Sequence, residues 1–236
     1  MIKDNNGFII VASRRKPFLT SAKFCGESLK DYWPESNVTL FTQDEWITDD
    51  LYDVFDNVVG GAPDHQRAKL WALSKTPYNL TVYLDADMEV ASPEINTIFD
   101  QMTNTADIMI TRIREYSGVL VHFPGGKLED HCGMFMYNNK PHTIEFMKQW
   151  WELYKKQKTK EWKWDTKLYP ETLRPWDQWT YWWLMNKTDY AIKREYFKED
   201  ARWNFVNNYR HSEVDKEVII HHHTINLKEL LENGKN

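Results

Sequence analysis

The sequence predicts an α/β fold, with a mostly parallel central sheet and helices on both of its faces. Two observations support this prediction. Short apolar runs of strand length alternate with segments of helical periodicity through the first half of the chain. The 236 residues are also 42% hydrophobic and 15% aromatic, which is in the range of globular proteins, and a chain of this length is expected to bury a sizeable core. No internal repeat or linker divides the chain, so we expect one domain over residues 1–236.

Each predicted element follows from a local signal. Apolar runs predict strands at 8–13, 38–42, 54–59, 80–84, 108–113, 134–137 and 218–222. Apolar positions at helical spacing predict helices at 17–29, 65–76, 92–102, 141–154 and 176–185. Asp64 and Ser92 are expected to cap two of these helices, and Pro93 suits the first turn of the second one.

Composition and charge exclude several classes of protein. Thirty Lys and Arg stand against 35 Asp and Glu, a net charge of -5, so coating of nucleic acid through bulk charge is not expected. Two cysteines are too few for a disulfide framework or a four-cysteine zinc site. The first apolar run, 8–12, is shorter than the core of a signal peptide, and no run reaches the about 18 apolar residues of a membrane span. We therefore expect a cytoplasmic protein, either soluble or bound peripherally to a membrane.

Two carboxylates follow the most apolar of the predicted strands. Asp85 and Asp87 flank Ala86 where strand 80–84 ends and the chain turns, so their side chains point to the same side. In open α/β sheets, ligands bind beyond the carboxyl ends of the strands. Two carboxylates at that place predict a site for a divalent cation with open positions for phosphate oxygens. The alternative is a pair of solvated aspartates in a turn.

Three consecutive histidines end the last predicted strand. In a regular strand His221 and His223 share one face and His222 takes the other, so at most two of them reach one site. Imidazole beside two carboxylates favours Mn²⁺ over Mg²⁺ by ligand softness, and Mg²⁺ is the alternative.

These motifs, taken in order, resemble the metal-dependent GT-A glycosyltransferases, most closely the family of glycogenin and the bacterial lipopolysaccharide galactosyl- and glucosyltransferases. The similar segments are 68–73, 77–78, 82–87 with Asp85-Ala86-Asp87, 131–138, 176–178 with Trp176-Asp177-Gln178, 202–205 and 219–221. Together they span about residues 7–225. The resemblance implies the GT-A fold, with a donor half at about 1–112 and an acceptor half at about 113–225.

The resemblance also implies roles for individual residues. In the family's pattern, Mn²⁺ is held by Asp85 and Asp87 with His221, or alternatively with His223. The residues that contact the donor are Ala12, Ser13, Lys69, Ala86 and Gly133. The sugar and the reaction centre are reached by Asp177 and Gln178. Two departures stand out. Residues 224–227 replace the family's lysine-bearing segment, which leaves Arg14, Arg15 or Arg202 to bind the diphosphate. His131 stands where the family has Asn.

The implied activity is transfer of a hexose from a nucleotide diphosphate sugar, with a UDP-sugar favoured, to a hydroxyl of a glycan or lipid-linked glycan, with retention of configuration. Eight of the 12 tryptophans lie between residues 150 and 183 and suit acceptor recognition, with Trp162 and Trp164 as the best candidates. Core packing of Trp179, Trp182 and Trp183 and contact with a membrane surface are the alternatives for this segment. A non-catalytic carbohydrate-binding protein and a sugar nucleotidyltransferase are the alternatives for the whole chain.

Overall fold

A computed structural model describes residues 5–113, 122–123, 126–159, 175–206 and 216–223. The strands are β1 (Asn6–Val11), β2 (Val38–Phe41), β3 (Asn57–Val59), β4 (Leu80–Leu84), β5 (Met88–Val90), β6 (Ile108–Arg112), β7 (His122–Phe123), β8 (Gly126–Lys127), β9 (Asp130–Asn138), β10 (Arg194–Tyr196), β11 (Phe205–Val206) and β12 (Ile220–His222). The α-helices are α1 (Lys16–Tyr32), α2 (Ala68–Leu73), α3 (Pro141–Thr159), α4 (Asp177–Lys187) and α5 (Asp200–Trp203), and the 3-10 helices are Asp44–Trp46, Asp49–Asp53 and Pro93–Gln101.

Seven strands form the central sheet, in the order β10-β6-β9-β4-β1-β2-β3. The pairs β4–β1, β1–β2, β2–β3 and β10–β6 are parallel, which confirms the mostly parallel sheet. Among the described strands of this sheet, β9 alone runs antiparallel, between β4 and β6. As a result, the end of β4 lies beside the beginning of β9, where the amide of Asp85 donates to the carbonyl of Gly133 at 2.9 Å.

Both faces of this sheet are covered by helices. In β1, Phe8 and Ile10 pack into a core with residues of α1, whereas Ile9 and Val11 pack on the other face with residues of α2 and α3. Phe8, Ile9 and Ile10 are all 0% exposed. Full burial of one such side chain is worth about 1.5–3 kcal/mol, so the continuous apolar run of β1 favours a doubly covered position.

A second sheet of three strands, in the order β11-β12-β5, lies beyond the end of β4. Strand β12 pairs antiparallel with β5, and this pairing sets His222 opposite Met88. Residues 88–90 form a strand where only a turn after strand 80–84 was expected. The strand forms because of a partner more than one hundred residues later, which the local pattern does not contain.

Two helix starts test the capping predictions. The side chain of Ser92 accepts a hydrogen bond from the amide of Glu94 at 3.3 Å and Pro93 follows it, as expected, although the helix is of the 3-10 type. The cap at Asp64 is wrong, because α2 begins at Ala68 with Arg67 as its N-cap. In the part of the chain that the structure describes, no helix combines the length and the apolarity that a membrane span requires.

Candidate active site

A cavity of about 230 Å³ opens at the carboxyl ends of β1 and β4. Ser13, which follows β1, lines it together with Lys69 of α2 and the segment Asp85-Ala86-Asp87. This is the edge of the sheet at which open α/β folds bind ligands. The cavity therefore brings together five of the residues that the sequence analysis selected.

A group of three potential metal ligands lies at this edge. Asp85, Asp87 and His222 each offer one ligand atom, and these atoms all lie within 4.8 Å of one another. A Cβ on Gly133 would lie 2.9 Å from Cε1 of His222 and 3.0 Å from Oδ2 of Asp85, so only glycine leaves this group its space. Two carboxylate oxygens and one imidazole nitrogen fit a divalent cation of the first transition row, and the group could hold such an ion.

The structure does not bring His221 and His223 into this group. Nε2 of His223 lies 2.6 Å from Oε2 of Glu89, and the His221 ring stacks on His223 with 6.0 Å between centroids. As predicted, His221 and His223 share one face of β12 and His222 lies on the other. The face that contacts Asp87 is the one that carries His222, not the one predicted. The antiparallel pairing with β5 decides which face that is.

His222 and Asp87 form an ion pair, with Nε2 of the ring 3.3 Å from Oδ1 of the carboxylate. Burial alone would raise the pKa of Asp87, but the hydrogen bond from His222 and the positive charges of His222 and Lys69 together outweigh it, and the pKa is lowered. Burial alone would lower the pKa of His222, but its hydrogen bond to Asp87 and the negative charges of Asp87 and Asp85 together outweigh it, and the pKa is raised. Without a metal, the charged forms of both groups are thus favoured.

Lys69 places a buried ammonium group between two carboxylates. Its Nζ lies 3.1 Å from Oδ1 of Asp85 and 3.2 Å from Oδ2 of Asp177, and it donates to the carbonyl of Cys132 at 2.8 Å. Burial would lower the pKa of Lys69, but Asp177 and Asp85 raise it above its usual value. The hydroxyl of Tyr83 also donates to Asp85, so two donors fix the orientation of that carboxylate.

Asp177 is the first residue of α4 and is 3% exposed. Nε of Arg67 lies 3.1 Å from its Oδ1, so Asp177 is held between Arg67 and Lys69. Burial would raise the pKa of Asp177, but Lys69 and Arg67 lower it. A carboxylate in this environment is a poor proton acceptor and is suited to positioning cations. Gln178 follows it on α4 and is half-buried.

Three other predicted residues have different surroundings. The side chain of Ala12 packs in the hydrophobic core, while Ser13 faces the cavity and donates to the carbonyl of Pro63 at 2.5 Å. Arg202 pairs with Glu94 at 2.6 Å and with Glu199 at 3.0 Å. Arg14 and Arg15 are exposed, and their side chains are not part of the described cavity lining.

Arg67 also lines the cavity, although it was not among the residues predicted from the sequence. Its position two residues before Lys69, at the start of the same helix, was the available signal, because a second cation there points to the same edge of the sheet. His222 was named in the histidine run but assigned to the wrong face.

The described tryptophans are in part core residues. Trp150 and Trp179 are 0% exposed, and Nε1 of Trp150 donates to the carbonyl of Asp177 at 3.0 Å. Trp182 stacks on Trp179 with 5.1 Å between ring centroids. Trp162 and Trp164, together with residues 224–227, lie outside the described residues.

Several solved structures with a similar architecture are glycosyltransferases. The glycosyltransferase GlyE of Streptococcus pneumoniae TIGR4 is 14% identical, with a TM-score of 0.62 over 92% of this chain and 54% of that one. The galactosyltransferase LgtC, in complex with donor and acceptor sugar analogs, is 13% identical, with a TM-score of 0.51 over 96% and 94%. Mouse xyloside xylosyltransferase 1 is 13% identical, with a TM-score of 0.57 over 94% and 98%.

The chain thus spans about half of the GlyE chain and nearly all of the other two. No protein-family model and no curated protein matches the sequence. At this level of identity the likeness concerns the fold. The seven-stranded sheet, the helices on its two faces and these structural neighbours together show that the chain has the fold of the GT-A glycosyltransferases.

Proposed function

We propose that the protein is a metal-dependent glycosyltransferase, which moves a hexose from a nucleotide diphosphate sugar, with a UDP-sugar favoured, to a hydroxyl of a glycan or lipid-linked glycan. One observation carries the proposal. Asp85, Asp87 and His222 converge beside a cavity that the buried Lys69 and the half-buried Arg67 also line. The likeness to LgtC, which was solved with donor and acceptor sugar analogs, supports the same choice of ligands.

Asp85, Asp87 and His222 would hold the cation, for which Mn²⁺ is preferred because one ligand is an imidazole. The bound ion would supply neutralisation of the charge that builds on the departing diphosphate. Lys69 and Arg67 add positive charge to the same cavity, and Asp177 fixes both of these side chains. Ser13 lines the part of the cavity that follows β1, where we place the nucleotide.

The surroundings of Asp177 favour retention of configuration. An inverting enzyme needs a carboxylate base to activate the acceptor hydroxyl. Asp177 is poorly suited to be that base, because its pKa is lowered by Lys69 and Arg67 and both of its oxygens are paired with these cations. We therefore assign Asp177 and Gln178 to the organisation of the sugar-binding side of the cavity.

The test is thermal unfolding of the protein with UDP- and GDP-hexoses, each with and without Mn²⁺. A ligand that binds only the native state stabilises it by about 2.7 kcal/mol at about a hundred times its Kd. We expect one donor to raise the Tm, only with Mn²⁺ and not in Asp87→Asn. Asp100→Asn, which changes an exposed carboxylate, serves as the matched control and keeps the response.

Transfer is then measured with the stabilising donor as release of the nucleoside diphosphate on addition of glycan acceptors. A protein that binds glycans equally well with and without Mn²⁺, and responds to no nucleotide sugar, would be a carbohydrate-binding protein on this fold rather than a transferase.

A further inference from the structure

A chain of hydrogen bonds runs from the backbone to His222, and its first link fixes the direction of the others. Nδ1 of His131 lies 3.2 Å from the amide nitrogen of Gly133 and 2.8 Å from Nδ2 of Asn204. A backbone N–H can only donate, so Nδ1 of His131 must accept. The proton of the neutral His131 ring is therefore on Nε2.

The same reasoning orients Asn204. The atom that faces His131 Nδ1 must donate, so it is the amide nitrogen, which also donates to Oγ1 of Thr111 at 2.9 Å. The amide oxygen then faces Nδ1 of His222, 3.1 Å away. Because that oxygen can only accept, Nδ1 of His222 carries a proton. The lone pair of a neutral His222 is left on Nε2, the atom beside Asp87.

We propose that Asn204 and His131 are positioning residues, which hold His222 in its Nδ1–H tautomer so that Nε2 faces the divalent cation. The inference deepens the proposed function but rests only on its metal site. It also gives a role to His131, the residue that departs from the family's pattern: its lone pair sets the orientation of the Asn204 amide.

The hydrogen bonds of this chain are buried, so water does not easily replace them. Asn204 is 2% exposed and Thr111 is 1% exposed, so water cannot easily substitute for a lost partner. A ligating histidine with a fixed partner on its other nitrogen binds metal more tightly, and loss of such a partner typically costs about 10- to 100-fold in affinity.

The first test is a double-mutant cycle on Mn²⁺ affinity, measured by titration calorimetry without any sugar nucleotide. We expect Asn204→Leu to weaken Mn²⁺ binding about 10- to 100-fold. In the His222→Ala background the same substitution should cost no more, because Asn204 acts through His222. Equal losses from Asn204→Leu in both backgrounds, or an unchanged affinity in His222→Ala, would overturn the inference.

Asn138→Leu is the matched control. Asn138 is also buried, at 7% exposed, and bonds to Asp107 and Thr143, but it lies at the far end of β9 from Gly133. It should lower the Tm and leave the Mn²⁺ affinity unchanged. If it weakened Mn²⁺ binding as much as Asn204→Leu does, the effect at Asn204 would be one of general stability and the inference would fail.

The second test needs no variant of Asn204 and holds even if that variant does not fold. In the protein labelled with ¹⁵N-histidine, NMR correlation of ring nitrogens and carbon-bound protons distinguishes the two neutral tautomers. With Mg²⁺ bound in place of the paramagnetic Mn²⁺, and at a pH where both rings are neutral, we expect Nε2–H for His131 and Nδ1–H for His222. The opposite tautomer at either ring would refute the inference.

These outcomes separate the inference from the proposed function. If the expected tautomers and the expected coupling between Asn204 and His222 are found but no sugar is transferred, only the proposed function is wrong. If sugar transfer depends on metal but His131 or His222 has the opposite tautomer, or Asn204 and His222 are not coupled, only this inference is wrong.

Discussion

Gly133 shows how a single residue sets the dimensions of the site. It lies on β9 beside Asp85, and a side chain there would approach His131, His222 and Asp85 at once. The residue matters because it has no Cβ: three polar side chains occupy the volume that a methyl group would need.

We predict that Gly133→Ala folds but binds Mn²⁺ at least about tenfold more weakly, because its Cβ would lie 2.9 Å from Cε1 of His131 and of His222 and displace both rings. Calorimetric titration with Mn²⁺ measures the loss. Gly7→Ala is the control: its Cβ would overlap the ring of Tyr78, away from the cavity, which should cost about 1–3 kcal/mol of stability without changing Mn²⁺ affinity. Parent-like affinity in Gly133→Ala would show that the metal does not use this geometry.

Local sequence predicted part of the site, for reasons that can be named. Asp85 and Asp87 are two residues apart at the end of an apolar run, so alternation along the chain places them together. The alternation of side chains along a strand also placed His222 on the face opposite to His221 and His223. It does not determine which of the two faces contacts a carboxylate that is distant in the sequence. Arg67 was missed because its role depends on Asp177, which is more than one hundred residues away.

At the scale of elements, continuous apolar runs located the central strands well. Strands β1, β2, β4 and β6 lie within or close to their predicted ranges because both faces of each are buried. Strands β5 and β10 are three residues long and partly polar, and they form through pairing with remote partners. The antiparallel direction of β9 is likewise a property of the connection and not of its own sequence.

Asp107 joins several of these elements at the far end of the sheet. Burial would raise its pKa, but hydrogen bonds from the amide of Lys193 and from Asn138, His142 and Lys140 lower it to about 2. Strand β6 is thereby tied to the segment before β10, to the end of β9 and to the start of α3.

We predict that Asp107→Asn lowers the free energy of unfolding by about 2 kcal/mol at pH 7. A carboxylate with a lowered pKa stabilises the fold above its unfolded pKa, and this contribution is lost as the pH falls through the folded pKa. The difference between the parent and Asp107→Asn should therefore shrink below about pH 4 and be nearly gone at pH 2. Urea unfolding as a function of pH measures it. The exposed Asp189→Asn is the control, and a pH-independent deficit in Asp107→Asn would contradict the prediction.

At the scale of the whole molecule, the candidate metal group joins two distant parts of the chain. Asp85 and Asp87 follow β4 of the large sheet, whereas His222 belongs to β12 of the small one. A cation held by all three would link the small sheet to the large one.

We predict that Mn²⁺ slows amide hydrogen exchange chiefly in β5, β11 and β12, with little change in β2 and β3 at the far edge of the large sheet. Local opening of the small sheet would separate His222 from Asp87, so a bound ion disfavours that opening. Exchange followed by mass spectrometry, with and without Mn²⁺, tests this. Asp87→Asn should remove the difference, and slowing that is uniform over the chain would argue against a link of this kind.

The pairing of Asp177 with Lys69 and Arg67 has an electrostatic consequence for the order of binding. Below the raised pKa of His222, the cavity is bordered by three carboxylates and three cationic side chains. Their charges sum to zero, so without a metal ion the cavity exerts no net attraction on a diphosphate. A divalent ion ligated by His222 expels one proton and leaves one net positive charge. For the proposed transferase, we therefore expect the cation to bind first with release of a proton, and the anionic nucleotide to bind second.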